Sequence, residues 1–98
     1  MRDDPAQSRY DVLADGEVAG FAAYRLDGQQ ITFTHTEVGD EYGGKGVGSA
    51  LASGALDDVR ARGLTAVPQC SFIAGYIGKH LDDYGDLVDE ATRSSLES

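Results

Sequence analysis

Gly43-Gly44-Lys45-Gly46-Val47-Gly48-Ser49-Ala50-Leu51 is the stretch on which the reading of this chain turns. Before it, hydrophobicity alternates with the two-residue period of a strand; after it, apolar residues recur at helical steps. Val47, Ala50, Leu51, Ala55 and Val59 form one stripe, with Asp57, Asp58, Arg60 and Arg62 mostly off it. The spacing predicts a helix that opens at Val47 and stops where Gly63 supplies a left-handed cap. A glycine-rich turn leading from a strand into a helix is a ready anion site, because backbone N–H groups and the helix dipole both point at the ligand. Each glycine also omits a Cβ that would hold a phosphate away.

Two other phosphate patterns do not fit. The ATP-loop spacing G-x-x-x-x-G-K-[ST] is nearly met from Gly39 to Lys45, but position 46 is glycine where a metal-binding hydroxyl is required. Asp40 and Glu41 would also stand inside the phosphate cradle. The dinucleotide fingerprint G-x-G-x-x-G is unmet, since the spacing here is G-x-G-x-G. Spacing alone leaves a phosphate site of unspecified ligand, with a plain structural turn as the bland alternative.

Upstream, Tyr10–Ala14, Glu17–Leu26 and Gln30–Val38 read as three strands joined by the turn signals Asp15-Gly16 and Asp27-Gly28. They make an antiparallel meander, with Gly20 marking a bulge or a close backbone approach. In the third strand Ile31, Phe33, His35 and Glu37 alternate with three threonines, which places His35 and Glu37 on one face at its end. Both are general-base candidates: His because it titrates near neutrality, Glu if burial raises its pKa. The bland alternative for His35 is a half-buried, hydrogen-bonded side chain. Downstream, Leu64–Phe72 reads as a fourth strand, parallel to the third, in which Pro68 marks an edge, a bulge or a splayed pair. Ile73–His80 follows as a short helix. The expected fold class is α+β: a mixed sheet with a three-strand meander, a crossover helix, a parallel strand and a short C-terminal helix.

A chain of 98 residues, 41% hydrophobic, makes one domain with a small core, placed at about residues 10–88 before an acidic tail at 89–98. A net charge of −9 argues against a nucleic-acid partner; it would sooner attract a cationic amine, or it serves solubility alone. One cysteine and two histidines suggest no metal site. No apolar stretch approaches a membrane span, and Met1-Arg2-Asp3-Asp4-Pro5 does not read as a signal peptide, so the expected location is cytoplasmic.

The ordered set of motifs resembles the GCN5-related N-acetyltransferases (GNAT), in particular their small, stand-alone, acetyltransferase-like members. The family's acetyl-CoA loop is written Q/R-x-x-G-x-G/A, and Gly46 and Gly48 fall on its two small-residue positions. Gly43 departs from the pattern, standing where Gln or Arg is usual. His35-Thr36-Glu37-Val38, Pro68-Gln69-Cys70-Ser71-Phe72 and Tyr76-Ile77-Gly78-Lys79-His80 complete the likeness over roughly residues 10–88. The resemblance implies acetyl-CoA as cosubstrate and an amine as acceptor. Cofactor contacts are then expected from Gly43, Gly44, Lys45, Gly46, Val47, Gly48 and Ser49, and from the backbone N–H groups near Val38 that polarise the thioester carbonyl. Lys45 would replace the missing Gln or Arg as a point charge, or be solvated surface. Lys79 and His80 would touch CoA phosphates, or serve as helix C-terminal cations. Cys70 becomes a candidate acetyl-accepting nucleophile where the parallel strands diverge, or an inert core thiol. Tyr76 becomes a candidate proton donor to the CoA thiolate, or a core tyrosine. A CoA-binding module without turnover is the alternative function.

Overall fold

The computed structural model describes residues 2–14, 16–39 and 46–97. Two tight connections build the meander. Asp27 pairs with Gln30 across a two-residue turn in which Gly28 takes φ +62°, and a left-handed first position lets so short a turn follow the strand twist. Ala14 likewise pairs with Glu17, with Gly16 at φ +83°; Asp15 lies outside the described residues.

The strands are β1 (Arg2–Asp4), β2 (Arg9–Ala14), β3 (Glu17–Asp27), β4 (Gln30–Val38) and β5 (Thr65–Pro68), and they lie side by side in that order. The first four are antiparallel neighbours and β5 runs parallel to β4, so the mixed sheet has the expected form. Strand β1 was not expected. Three polar residues carry no alternation, and tertiary contacts hold them: Arg2 Nη2 lies 3.0 Å from Asp11 Oδ2, and the Tyr24 hydroxyl donates to Asp3 at 2.7 Å.

Helix α1 (Val47–Ala61) packs on β2 to β5 through Leu51, Ala52, Ala55, Leu56 and Val59. Ala50, expected in this stripe, is exposed. At about 100° per residue, Ala50 falls on the far side of Leu51 from Ala52 and Leu56, which the tilt of the helix buries instead. The helix ends as expected. Gly63, at φ +67°, donates to the Arg60 carbonyl and Leu64 to that of Val59, the paired bonds of a Schellman cap.

The expected strand from Leu64 to Phe72 is much shorter. Its ladder stops where Phe33 faces Pro68, and the Phe33 carbonyl then accepts from both Gln69 and Cys70 at 3.0 Å. With no N–H at Pro68 and both following amides gathered onto one carbonyl, the strand cannot continue. Cys70 therefore caps helix α2 (Ser71–Lys79), and Ser71 and Phe72 lie in its first turn. Helix α3 (Leu81–Tyr84) and a 3₁₀ turn (Gly85–Leu87) follow. Arg60 on α1 binds Asp86 at 2.7 and 2.9 Å and also the Asp83 carbonyl, which ties this segment down. Residues 90–97, expected as part of the tail, form helix α4 (Glu90–Glu97), entered through Asp89, whose carboxylate accepts from the Thr92 N–H at 2.7 Å.

Three tyrosines tie separate elements together by donating to carboxylates: Tyr10 to Asp58 at 2.6 Å, Tyr24 to Asp3 at 2.7 Å and Tyr84 to Asp57 at 3.1 Å. Burial, reinforced by these carboxylates, pushes Tyr24 and Tyr84 up to about 12 and Tyr10 higher still. The native state thus keeps protons that the unfolded chain releases near pH 10, so this stabilisation is complete below pH 10 and is lost as pH rises through about 12. The urea midpoint is expected to be lower at pH 11 than at pH 9, with a smaller drop in Tyr84→Phe.

Candidate functional site

The site begins with an irregularity in β4. Tyr24 pairs with Phe33 and Ala23 with His35, so Thr34 is an extra residue, a bulge. A one-residue bulge reverses which face each later side chain takes. Thr36 and Val38 turn to the helix side, while His35 and Glu37 turn to the uncovered side, not to the face of Ile31 and Phe33 as alternation predicted. They do share a face with each other: His35 Nε2 stands 3.5 Å from Glu37 Oε1, and both are largely exposed.

The backbone past the bulge has one edge open. Gly39 donates to the Ala19 carbonyl at 2.8 Å, so its N–H points toward β3. Alternation then directs the Val38 N–H to the opposite edge, where β5 would lie had it not ended at Pro68. Across this gap the Thr36 hydroxyl and the Cys70 thiol meet at 3.2 Å, with Cys70 only 9% exposed. Sequence reasoning missed Thr36 because plain alternation turned it away from the helices.

The start of α1 borders the same gap. Gly46, its N-cap, takes φ +76°, and among the described residues no side chain caps the helix. The first helical bond runs from Ala50 to Gly46, which leaves the N–H groups of Val47, Gly48 and Ser49 without helical acceptors. No acidic residue occupies the first turn. A Cβ on Gly48 would stand 2.7 Å from Phe72 Cζ and 3.7 Å from Val38 Cγ2, so the helix start touches both α2 and the end of β4. Gly43, Gly44 and Lys45 lie outside the described residues.

The two glycines are small for different reasons. Gly46→Ala is expected to cost about 1–2 kcal/mol, because an L side chain resists the left-handed region. Gly48→Ala should change stability by less than about 1 kcal/mol, since the facing Phe72 ring end is 40% exposed and can swing, and alanine favours the helix. Urea titration of both variants checks the contrast.

Lys79 and His80 are not brought to this turn. Phe72 touches Gly48 at the start of α2, whereas Lys79 ends that helix and His80 is its C-cap. The ring of Tyr76 lies 4.4 Å from His80 and 5.9 Å from Tyr84, toward that far end. Six residues of helix carry Tyr76 about 9 Å along the axis from Cys70.

An uncapped helix start beside the open end of a parallel strand pair offers backbone donors to an anionic ligand. The family model for GCN5-related N-acetyltransferases matches residues 9–87. The chain therefore belongs to that family, whose reaction is acetyl transfer with acetyl-CoA generally the donor. It is similar to a GCN5-like candidate N-acetyltransferase from Staphylococcus aureus, solved in solution by NMR. The two share 28% identity over 84% of this chain and 81% of that one, with a TM-score of 0.63. No curated protein matches the sequence. Among the described residues no helix is long and apolar enough to cross a membrane.

Proposed function

We propose that the chain binds acetyl-CoA across the start of α1 and the β4–β5 gap, and passes the acetyl group directly to a small-molecule or peptide amine. The observation that carries this reading is the adjacency of three N–H groups, at Val47, Gly48 and Ser49, that have no acceptor among the described residues, to the open edge where the Val38 N–H points. In this reading the pyrophosphate takes the helix donors, which the missing Cβ of Gly48 leaves accessible. The pantetheine arm enters the gap and the thioester oxygen accepts from Val38. Charge developing on that oxygen is stabilised by a donor already fixed in place. The amine nitrogen bonds to the carbonyl carbon, the C–S bond breaks, and the electron pair leaves on sulfur. Glu37 or His35 takes the ammonium proton, and the CoA thiolate is protonated on release. Tyr76 as the donor of that last proton requires a swing of its ring away from His80.

A second reading routes the acetyl group through Cys70, and its placement in the gap, 3.2 Å from the Thr36 hydroxyl, favours it. Calorimetry with acetyl-CoA is the first test, and absence of binding at millimolar ligand overturns the proposal. Intact mass after acetyl-CoA exposure then separates the routes. An adduct lost in Cys70→Ala supports the covalent one, and full turnover by that variant excludes it. Binding without acetylation of any amine in a broad panel would mark a CoA-binding module instead.

A further inference from the structure

Arg9 and Glu37 face one cleft on the sheet surface that no helix covers. The cleft, about 500 Å³, is lined by Arg9, Val18, Gly20, Phe21, Glu37 and Gly39 among others. Its floor is backbone at Gly20 and Gly39, its walls are apolar at Val18 and Phe21, and its two charges are of opposite sign.

How Arg9 is held matters. Asp11 is wholly buried on this face, with Oδ2 3.0 Å from Arg2 Nη2 and Oδ1 2.9 Å from Arg9 Nε. The guanidinium carbon lies over the Phe21 ring, 5.0 Å from its centroid. Asp4, opposite Arg9 on β1, is spent on the Gln7 backbone and side chain. Among the described residues Arg9 thus holds Asp11 through an ion pair at Nε that lacks hydrogen-bond geometry, and its two Nη groups have no acceptor. A guanidinium ion-paired at one nitrogen and set over a ring still has its N–H groups to offer to a planar anion.

We infer that this cleft is the acceptor subsite and that it selects amines carrying a carboxylate, the amino acid class, with Arg9 as the specificity-determining residue. The inference rests on the acetyl-transfer reading above. The ammonium end lies toward Glu37 and, through Val38, toward the gap; the carboxylate end lies toward Arg9. A zwitterion satisfies both charges, whereas a simple amine leaves the Arg9 fork to water.

The test measures acetyl transfer from acetyl-CoA to matched acceptors, phenylalanine against phenylalanine amide and leucine against leucine amide, by mass detection of product. The wild-type protein is expected to favour each free carboxylate at least about tenfold in kcat/KM, a factor equal to one good charged contact. Arg9→Gln should abolish the preference by raising KM for the carboxylated acceptor, with kcat and the amide's kinetics little changed. Equal rates on both members in the wild type overturn the inference and leave acetyl transfer standing. No turnover of either, together with no acetyl-CoA binding, overturns both readings. Because the matched-acceptor comparison uses the unaltered chain, it decides the matter even if Arg9→Gln fails to fold.

Discussion

Replacing Val38 with proline is expected to lower kcat for acetyl transfer by about 10²–10³-fold, the range found when one donor to a developing oxyanion is removed. The substitution deletes the N–H and exchanges the partly buried isopropyl group for a pyrrolidine ring, so the urea curve has to show that the variant folds. That N–H faces the β5 side, past the point where the parallel ladder has ended at Pro68, so no strand hydrogen bond is lost. The preceding residue, Glu37, is already extended, as a residue before proline must be. Acetyl-CoA affinity should change by a few-fold at most, because the α1 N–H groups proposed to hold the pyrophosphate are untouched. Stopped kinetics at saturating acetyl-CoA, with a urea curve as control, checks the result. Undiminished kcat in a folded variant removes Val38 from the mechanism.

Gly20→Val is expected to carry the largest stability cost, about 3 kcal/mol, at the upper end for overpacking. A Cβ there would stand 2.7 Å from the Glu37 carbonyl oxygen and 3.1 Å from Val38 Cα. Both obstacles are backbone, so unlike Phe72 opposite Gly48 they cannot swing aside. Relief requires β3 and the end of β4 to part, and that end carries both Glu37 and the Val38 amide. Activity should therefore fall further than the unfolded fraction accounts for, even well below the melting temperature. Thermal melts and kcat at 15 °C separate the two effects. A variant with wild-type stability would show that the close approach at Gly20 is not a constraint.

Gly20 also illustrates how much could be read without a structure. A glycine inside a strand pattern signalled a bulge or close approach, and both occur: β2 and β3 shift register between Val12 and Leu13, and Gly20 presses on β4. Local chemistry likewise placed the bounds of β4, the opening of α1 at Val47 and the cap at Gly63, because turn geometry and hydrophobic period are written in neighbouring residues. Strand β1 was hidden, since its residues are polar and gain stability only from partners along the chain, while the acidic residues of α4 read equally as a solvated helix or a frayed tail. In β5 the pattern overran, because nothing local says that the Phe33 carbonyl will capture two successive amides.

The same division holds at the site. By itself the sequence determined that a glycine-rich turn opens a helix after a strand, that Gly46 and Gly48 lie there, and that the motif order matches one transferase family. It determined these because each depends on backbone freedom or on spacing along one segment. Only the tertiary structure decided which faces meet. The bulge at Thr34 sent His35 and Glu37 to the open surface and brought Thr36 to Cys70, and no count of residues reveals an unpaired one until the neighbouring strand is in register. The packing of α2 against α1 set Lys79 and His80 at the far end from the turn, because a helix that starts beside Gly48 must carry its last residues away from it.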